Sequence, residues 1–187
     1  VDIYLIRHTQ TDTAKGLCYG QSDVALAKGF PEHWQQLQQK LPLLTDDCLV
    51  FSSPLQRCLQ LAEQLSNSVT SDERLLEVNF GDWEGRRFDD IDADTLQHWT
   101  THFVHIPPPN GECFSALCLR VGDFWQELLT YNTKQALIIT HAGVIRALLT
   151  HILQLQPANA FHFQVDAGSI HKLQYLNNYT YISYINR

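Results

Sequence analysis

Three short, almost unbroken apolar runs constrain this chain more than any other feature: Asp2–Arg7, Cys48–Ser52 and Ala136–Thr140. A strand with one face in water alternates apolar and polar residues, whereas runs like these suit strands covered on both faces, as in parallel sheets flanked by helices. The segments between and after them carry helical spacing, over about Lys28–Leu41, Pro54–Leu65, about Asp89–His102, Glu112–Tyr131 and Val144–Leu153. In the second of these, Leu55, Leu59, Ala62 and Leu65 recur at helical steps, with Ser53 placed to cap and Pro54 in the first turn. Alternation of Phe161, Phe163 and Val165 predicts a further strand, and Ile170–Leu176 with Tyr179–Ile185 predicts a hairpin around Asn177-Asn178. Strands alternating with helices indicate a three-layer α/β/α fold with a mostly parallel central sheet. At 187 residues this is one domain, and Pro107-Pro108-Pro109-Asn110-Gly111 reads as a stiff loop within it rather than a linker.

The charge balance narrows the partners. A formal charge of −7 and no basic patch argue against nucleic acid or an anionic membrane surface. Five cysteines, an odd number without C-x-x-C pairs, suggest reduced thiols. The apolar start lacks a basic leader, and no stretch approaches the roughly 18 residues of a membrane span, so the expected setting is the cytoplasm.

Each of the three runs delivers polar residues just past its carboxyl end: Arg7-His8-Thr9, then Ser52-Ser53 with Arg57 one helical turn on, then Thr140-His141-Ala142-Gly143. Ligands of open α/β sheets bind outside the carboxyl ends of the strands, so these groups can converge. Helices starting at Pro54 and near Val144 would aim their positive amino ends at the same place. Taken singly, each residue has an ordinary structural reading. Arg57 is nevertheless poorly placed for a mere surface residue, because the helix dipole opposes a cation there. Together they define an anion pocket with two arginines to fork onto phosphate oxygens and two histidines able to donate or attack.

The order Arg7-His8-Thr9, Ser52-Ser53-Pro54-Leu55-Gln56-Arg57-Cys58, Leu76-Glu77 through Glu84-Gly85, and Thr140-His141-Ala142-Gly143 resembles the histidine phosphatase (phosphoglycerate mutase-like) superfamily. The resemblance implies that His8 becomes phosphorylated, that Arg7, Arg57 and His141 clamp the phosphoryl group, that Glu77 is the general acid, and that neither metal nor cofactor takes part. The neighbours Leu75, Leu76, Val78, Phe80 and Trp83 suit Glu77 to holding a proton for a leaving alkoxide; Glu84 is the nearest rival and Asp82 a weaker one. Two positions depart from the family pattern, Thr9 where glycine is usual and Ala14 where asparagine is common. The segment Lys15–Leu26, read with Arg7-His8-Thr9, looks like the α-ribazole phosphatase branch, which dephosphorylates α-ribazole 5′-phosphate in cobalamin nucleotide-loop assembly. Pro109–Phe114 resembles the family loop before its long helix, with Cys113 in place of serine. Glu112 there either contacts substrate or caps the helix, with capping favoured. Thr9, Gln21 and Ser22 are candidate phosphate or sugar contacts, although the last two are equally plausible turn residues. Trp83 or Trp99 is a candidate for stacking on a flat base.

Other chemistries fit less well. No cysteine has an arginine six positions later, Asp90–Thr95 breaks the aspartyl phosphatase motif, and no glycine-rich nucleotide loop occurs. His98, His102 and His105 could face one way and bind zinc or nickel, but a mobile cover over the site is the better reading. A phosphoglycerate mutase-like enzyme or a broad small-molecule phosphatase is the second enzymatic reading. A non-catalytic phospho-ligand module is the third, and it leaves the nucleophile and acid pair without purpose.

Overall fold

The first strand, β1 (Asp2–Arg7), has four buried central residues because it lies inside the sheet, parallel to β4 (Gln135–Thr140) on one side and antiparallel to β5 (Ile170–Leu176) on the other. In the computed structural model, which describes all 187 residues, six strands lie in the order β3-β2-β4-β1-β5-β6. Here β2 is Leu49–Ser52, β3 is Thr70–Ser71 and β6 is Tyr179–Tyr184. The four strands from β3 to β1 run parallel, and β5 and β6 close the far edge as an antiparallel pair. Four of the five helices cover the faces, α1 (Phe30–Gln38), α2 (Gln56–Glu63), α4 (Phe114–Leu128) and α5 (Ala142–Ile152), whereas α3 (Ala93–His102) packs through Leu96 and Trp99 on a separate small cluster.

The period of two along each strand sorts the core into two layers. Ile3, Leu5, Phe51 and Ile138 pack with Leu117, Val121 and Phe124 of α4 and Val144 and Leu148 of α5. Their neighbours Tyr4, Ile6, Val50, Leu137 and Ile139 face the other way, onto Leu37 of α1 and Cys58, Leu61 and Ala62 of α2. Both sets are apolar because both faces are covered, which is why the runs never alternate. A smaller cluster of Cys18, Trp83 and Ile91, flanked by Phe80, Phe88 and Trp99, lies apart from these two layers.

Several sequence expectations are corrected. The predicted strand over Phe161–Val165 is a 3-10 turn, Pro157–His162, and its carbonyl-side neighbour Phe163 gives its oxygen to Arg146 instead of a ladder. Ser53 does not cap α2. The helix starts at Gln56, whose N–H donates to Asp23 Oδ1 from a distant loop, while the Ser53 hydroxyl turns toward His141. α3 begins at Ala93 rather than Asp89, capped by the Asp92 carboxylate accepting from Thr95 N–H. The short edge strand β3 was not foreseen, since two exposed residues carry no periodicity. The hairpin stands as expected, with both Asn177 and Asn178 at positive φ, the backbone of a type I′ turn. No helix is long and apolar enough to cross a membrane.

Candidate active site

The parallel strands end level with one another, and this alignment builds the site. Arg7 pairs with Thr140 in register; His8 N–H donates to the Thr140 carbonyl at 3.0 Å and Ser53 N–H to Ile139 at 3.0 Å. His8, Ser53 and His141 are therefore neighbours in space although they come from three strands, and all three are buried. The His141 ring sits edge-on to His8 with centroids 5.2 Å apart. Arg57 Nε donates to His141 Nδ1 at 3.3 Å, which leaves the proton on Nε2 to reach Ser53 Oγ at 2.8 Å. His8 Nδ1 lies 2.7 Å from the Thr9 carbonyl, an oxygen that can only accept. The tautomer of His8 is thereby set with the proton on Nδ1 and a free lone pair on Nε2.

Charge is concentrated and uncompensated. Arg57 is 1% exposed and no carboxylate pairs with it or with Arg7; the guanidinium groups are fixed instead by carbonyls. Arg7 donates to Val165 O at 2.7 Å, and Arg57 donates to Ser22 O at 2.8 Å and to Gly20 O, with the Tyr19 ring 5.3 Å away. Buried cations without counter-ions are costly, so a pocket built this way is one for an anion. Arg7 Nε and Thr9 Oγ1 are buried without a partner, and a cavity of about 220 Å³ opens among Arg7, His8, Thr9, Thr11 and Tyr19. Burial pushes His8 down to about 3, against the pull of the Thr9 hydrogen bond and aided by Arg57 and Arg7, so its ring is neutral at physiological pH. Burial, with His8 and Arg57 adding, lowers His141 well below its ordinary value too.

Glu77 reaches the site from the Leu76–Phe80 segment. Its carboxylate accepts from Val78 N–H at 2.9 Å and from Gly143 N–H at 3.0 Å in the first turn of α5. Only glycine fits at 143, since a Cβ there would lie 2.2 Å from Glu77 Oε1. Gly143→Ala is therefore expected to displace the carboxylate by about an ångström and cut kcat/KM about 100-fold, with the melting temperature little changed. Parallel activity and thermal unfolding measurements check this.

Glu84, the rival acid, has a different task. It accepts from the N–H groups of Gly20, Gln21, Ser22 and Phe80 and from the Ser22 hydroxyl. Burial alone would raise its pKa, but these donors hold it below the ordinary carboxylate range. Glu84 thus ties down the loop whose carbonyls at Gly20 and Ser22 hold Arg57. Gly20 allows the close approach, for a Cβ would sit 1.8 Å from the Val78 carbonyl. Asp82 accepts from Asn110 in an exposed turn.

The remaining candidates divide. Thr9 reaches the anion pocket. Gln21 donates to the Glu77 carbonyl at 3.1 Å, and the Ser22 side chain is bound to Glu84. Trp83 is 3% exposed in the small third cluster, behind Trp99 at 5.4 Å between ring centroids, and it is Trp99 that lines a second hollow. Glu112 does not cap α4, whose amino end has no side-chain cap; both its oxygens bind Arg120. His98 and His102 stack at 4.6 Å, but His105 lies past the end of α3, so the three imidazoles share no helix face. The second hollow, about 120 Å³, is walled by Phe80, Trp99, Phe103, Phe114 and Phe161, with Glu77, Glu112, Gly143 and Arg146 in its lining. Ser53 stands where the sequence places it among the polar residues past the second run, and only its capping role fails. Tyr19 and Arg146 are not singled out by the sequence, and Arg146 sits one turn into a helix that otherwise reads as apolar core.

Residues 3–187 match the sequence profile of the histidine phosphatase superfamily (branch 1), and the chain belongs to that family. Among its relatives, the adenosylcobalamin/alpha-ribazole phosphatase of Escherichia coli K12 is 32% identical over 89% of this chain and 86% of its own. A Hydrogenobacter thermophilus chain provisionally named phosphoserine phosphatase 2 is 25% identical over 99% and 95%. The crystal structure of the alpha-ribazole phosphatase from Shigella flexneri superposes with a TM-score of 0.90 at 30% identity, covering 100% of this chain and 96% of that one.

Proposed function

We propose that this histidine phosphatase hydrolyses α-ribazole 5′-phosphate, a phosphomonoester whose leaving group ends in a flat aromatic base. The observation that carries the substrate reading is the aromatic-walled hollow beside Glu77, with a buried Trp99 Nε1–H that has no partner. Two relatives bearing the α-ribazole phosphatase name, one by sequence and one by structure, point the same way. Smaller acids such as phosphoserine or phosphoglycerate would leave such a hollow unfilled.

In the first step the free Nε2 of neutral His8 attacks phosphorus in line while Glu77 gives a proton to the departing 5′-oxygen. Arg7, Arg57 and the Thr9 hydroxyl receive the equatorial oxygens, and His141 joins them when its Nε2–H turns from Ser53 Oγ to the phosphoryl group, which supplies the counter-charge that the guanidinium groups lack. The second step is attack by water on the phosphohistidine, with Glu77 now the base. Five unpaired cysteines fit a reducing compartment, the cytoplasm.

The test is phosphate release, with chelator present, from α-ribazole 5′-phosphate, phosphoglycerate, phosphoserine, fructose 2,6-bisphosphate and an aryl phosphate. A preference of two orders of magnitude or more, about 2.7 kcal/mol in the transition state, is expected for the first. A flat or reversed profile would keep the mechanism and remove the substrate. Trp99→Ala is expected to raise KM for α-ribazole 5′-phosphate about tenfold and leave that for phosphoglycerate unchanged, the scale of one lost aromatic contact. An unchanged KM for both would remove stacking by Trp99.

A further inference from the structure

Four successive backbone carbonyls, Arg74 to Glu77, lead into the proposed acid, and side chains from elsewhere in the fold hold every one of them. Arg120, in the middle of α4, donates from Nη1 to Arg74 O and Leu76 O at 2.7 Å each and from Nη2 to Glu77 O at 3.1 Å. The Leu75 carbonyl takes the Thr140 hydroxyl at 2.8 Å, and Gln21 adds a second donor to Glu77 O. On its other edge Arg120 forks onto Glu112, Nε to Oε1 at 2.7 Å and Nη2 to Oε2 at 2.8 Å. Glu112 in turn accepts from Asn79 N–H at 3.3 Å and donates its own N–H to Asn79 O at 2.8 Å.

We infer that Arg120, neutralised and oriented by Glu112, is a positioning residue that fixes Glu77 at the leaving oxygen. The inference rests on the reading of Glu77 as the general acid. Apart from the single 3-10 turn Glu73–Leu75 the segment carries neither helix nor strand, so it has no ladder to define its place and its carbonyls must be held individually. The planar fork of arginine does this with five donors in one rigid group, and the bidentate carboxylate keeps that group from rotating. Both side chains are mostly buried, at 21% and 15% exposure, so the pair is shielded from water and stays formed. Arg120 touches no reacting atom. Its effect passes through the backbone of residues 74–79 to a carboxylate whose other anchor is Gly143 N–H.

A residue that merely stabilises the fold would slow all substrates alike, whereas one that positions an acid matters in proportion to the leaving group's need for a proton. The experiment measures kcat/KM, which reports phosphoryl transfer to His8, for an alkyl phosphate and for p-nitrophenyl phosphate in wild type, Glu77→Gln, Arg120→Lys and Glu112→Gln. Melting temperatures are recorded for each. Glu77→Gln sets the scale, with a loss on the order of 1,000-fold for the alkyl ester and less than about tenfold for the aryl ester. Arg120→Lys, which keeps the charge and loses the fork, is expected to lose about 30-fold on the alkyl ester and less than threefold on the aryl ester. Glu112→Gln, the gentler variant, keeps the side-chain shape and should show the same split at smaller size. Equal losses on both esters in Arg120→Lys and Glu112→Gln, with Glu77→Gln still split, would overturn the positioning role and leave the acid in place. No split in Glu77→Gln would remove the acid and the positioning role together.

Discussion

His8→Ala is expected to lower kcat/KM on the order of 10,000-fold or more, the usual cost of removing a nucleophile from a group of residues that act as a unit. The argument starts from the tautomer. The Thr9 carbonyl fixes the Nδ1 proton, and burial beside Arg57 and Arg7 keeps the ring unprotonated, so the attacking lone pair is present in essentially every molecule at neutral pH. The same arginines that disfavour a charged His8 favour a phosphorylated one, because a phosphoryl dianion supplies the negative charge they lack. Acid quenching of wild type with labelled substrate should trap label on the protein in an acid-labile, base-stable form. His8→Ala should trap none while remaining folded. A further consequence is that the acid limb of kcat/KM carries no ionisation near 6.5 from His8. If His8→Ala retained a labelled intermediate, another nucleophile would have to be sought.

Much of this was legible in the residues themselves. The buried parallel strands announced themselves because both faces of β1, β2 and β4 are covered, and the polar residues after them converge because parallel strands end at one level. Motif order singles out His8, Arg57, Glu77 and His141 as candidates. What sequence could not supply was the set of contacts that fix them. Glu84 reads as a spare acid until the loop over Gly20–Ser22 is folded against it, and only then does its hold on Arg57 become visible. Ser53 reads as a cap because serine before proline at a helix start usually is one; here Asp23, more than thirty positions earlier, takes that task. The Phe161–Val165 alternation misled because period two in five residues cannot distinguish a strand from a turn whose aromatics pack outward, with Phe161 against Phe103 and under Arg146. Trp83 and Trp99 were indistinguishable by sequence, and packing alone sends one into a core cluster and the other to a hollow.

The chemistry that keeps the nucleophile neutral should also make the fold acid-labile. Three buried histidines, His8, His141 and His171, are held below their ordinary value of 6.5, chiefly by burial, with His8 at about 3 and His171 at about 4. In the unfolded chain each takes up a proton as pH falls through 6.5, whereas in the folded protein His8 and His171 stay neutral until about 3 and 4. Between those limits the unfolded state binds more protons, so stability is full above about pH 7 and is lost on acidification. At pH 5 the loss is about 2 kcal/mol for each of His8 and His171, 1.5 units below the unfolded value at 1.36 kcal/mol per unit. His141 adds to this in the same direction. Against a typical folding free energy of about 5–15 kcal/mol, that is a large share. The carboxylates held low, such as Asp72 and Glu84, act in the same sense but only nearer their unfolded values of 3.8 and 4.5, so they do not explain a loss that begins above pH 5. Urea unfolding at pH 7.5, 6 and 5 measures the slope directly. His171→Asn, outside the phosphate pocket, should flatten it by roughly one proton while preserving turnover, since the ring accepts from Asn186 N–H and contacts Ser169 rather than substrate. A free energy that stays level from pH 7.5 to 5 would mean that these rings protonate in the folded state, and the neutral nucleophile would fall with them.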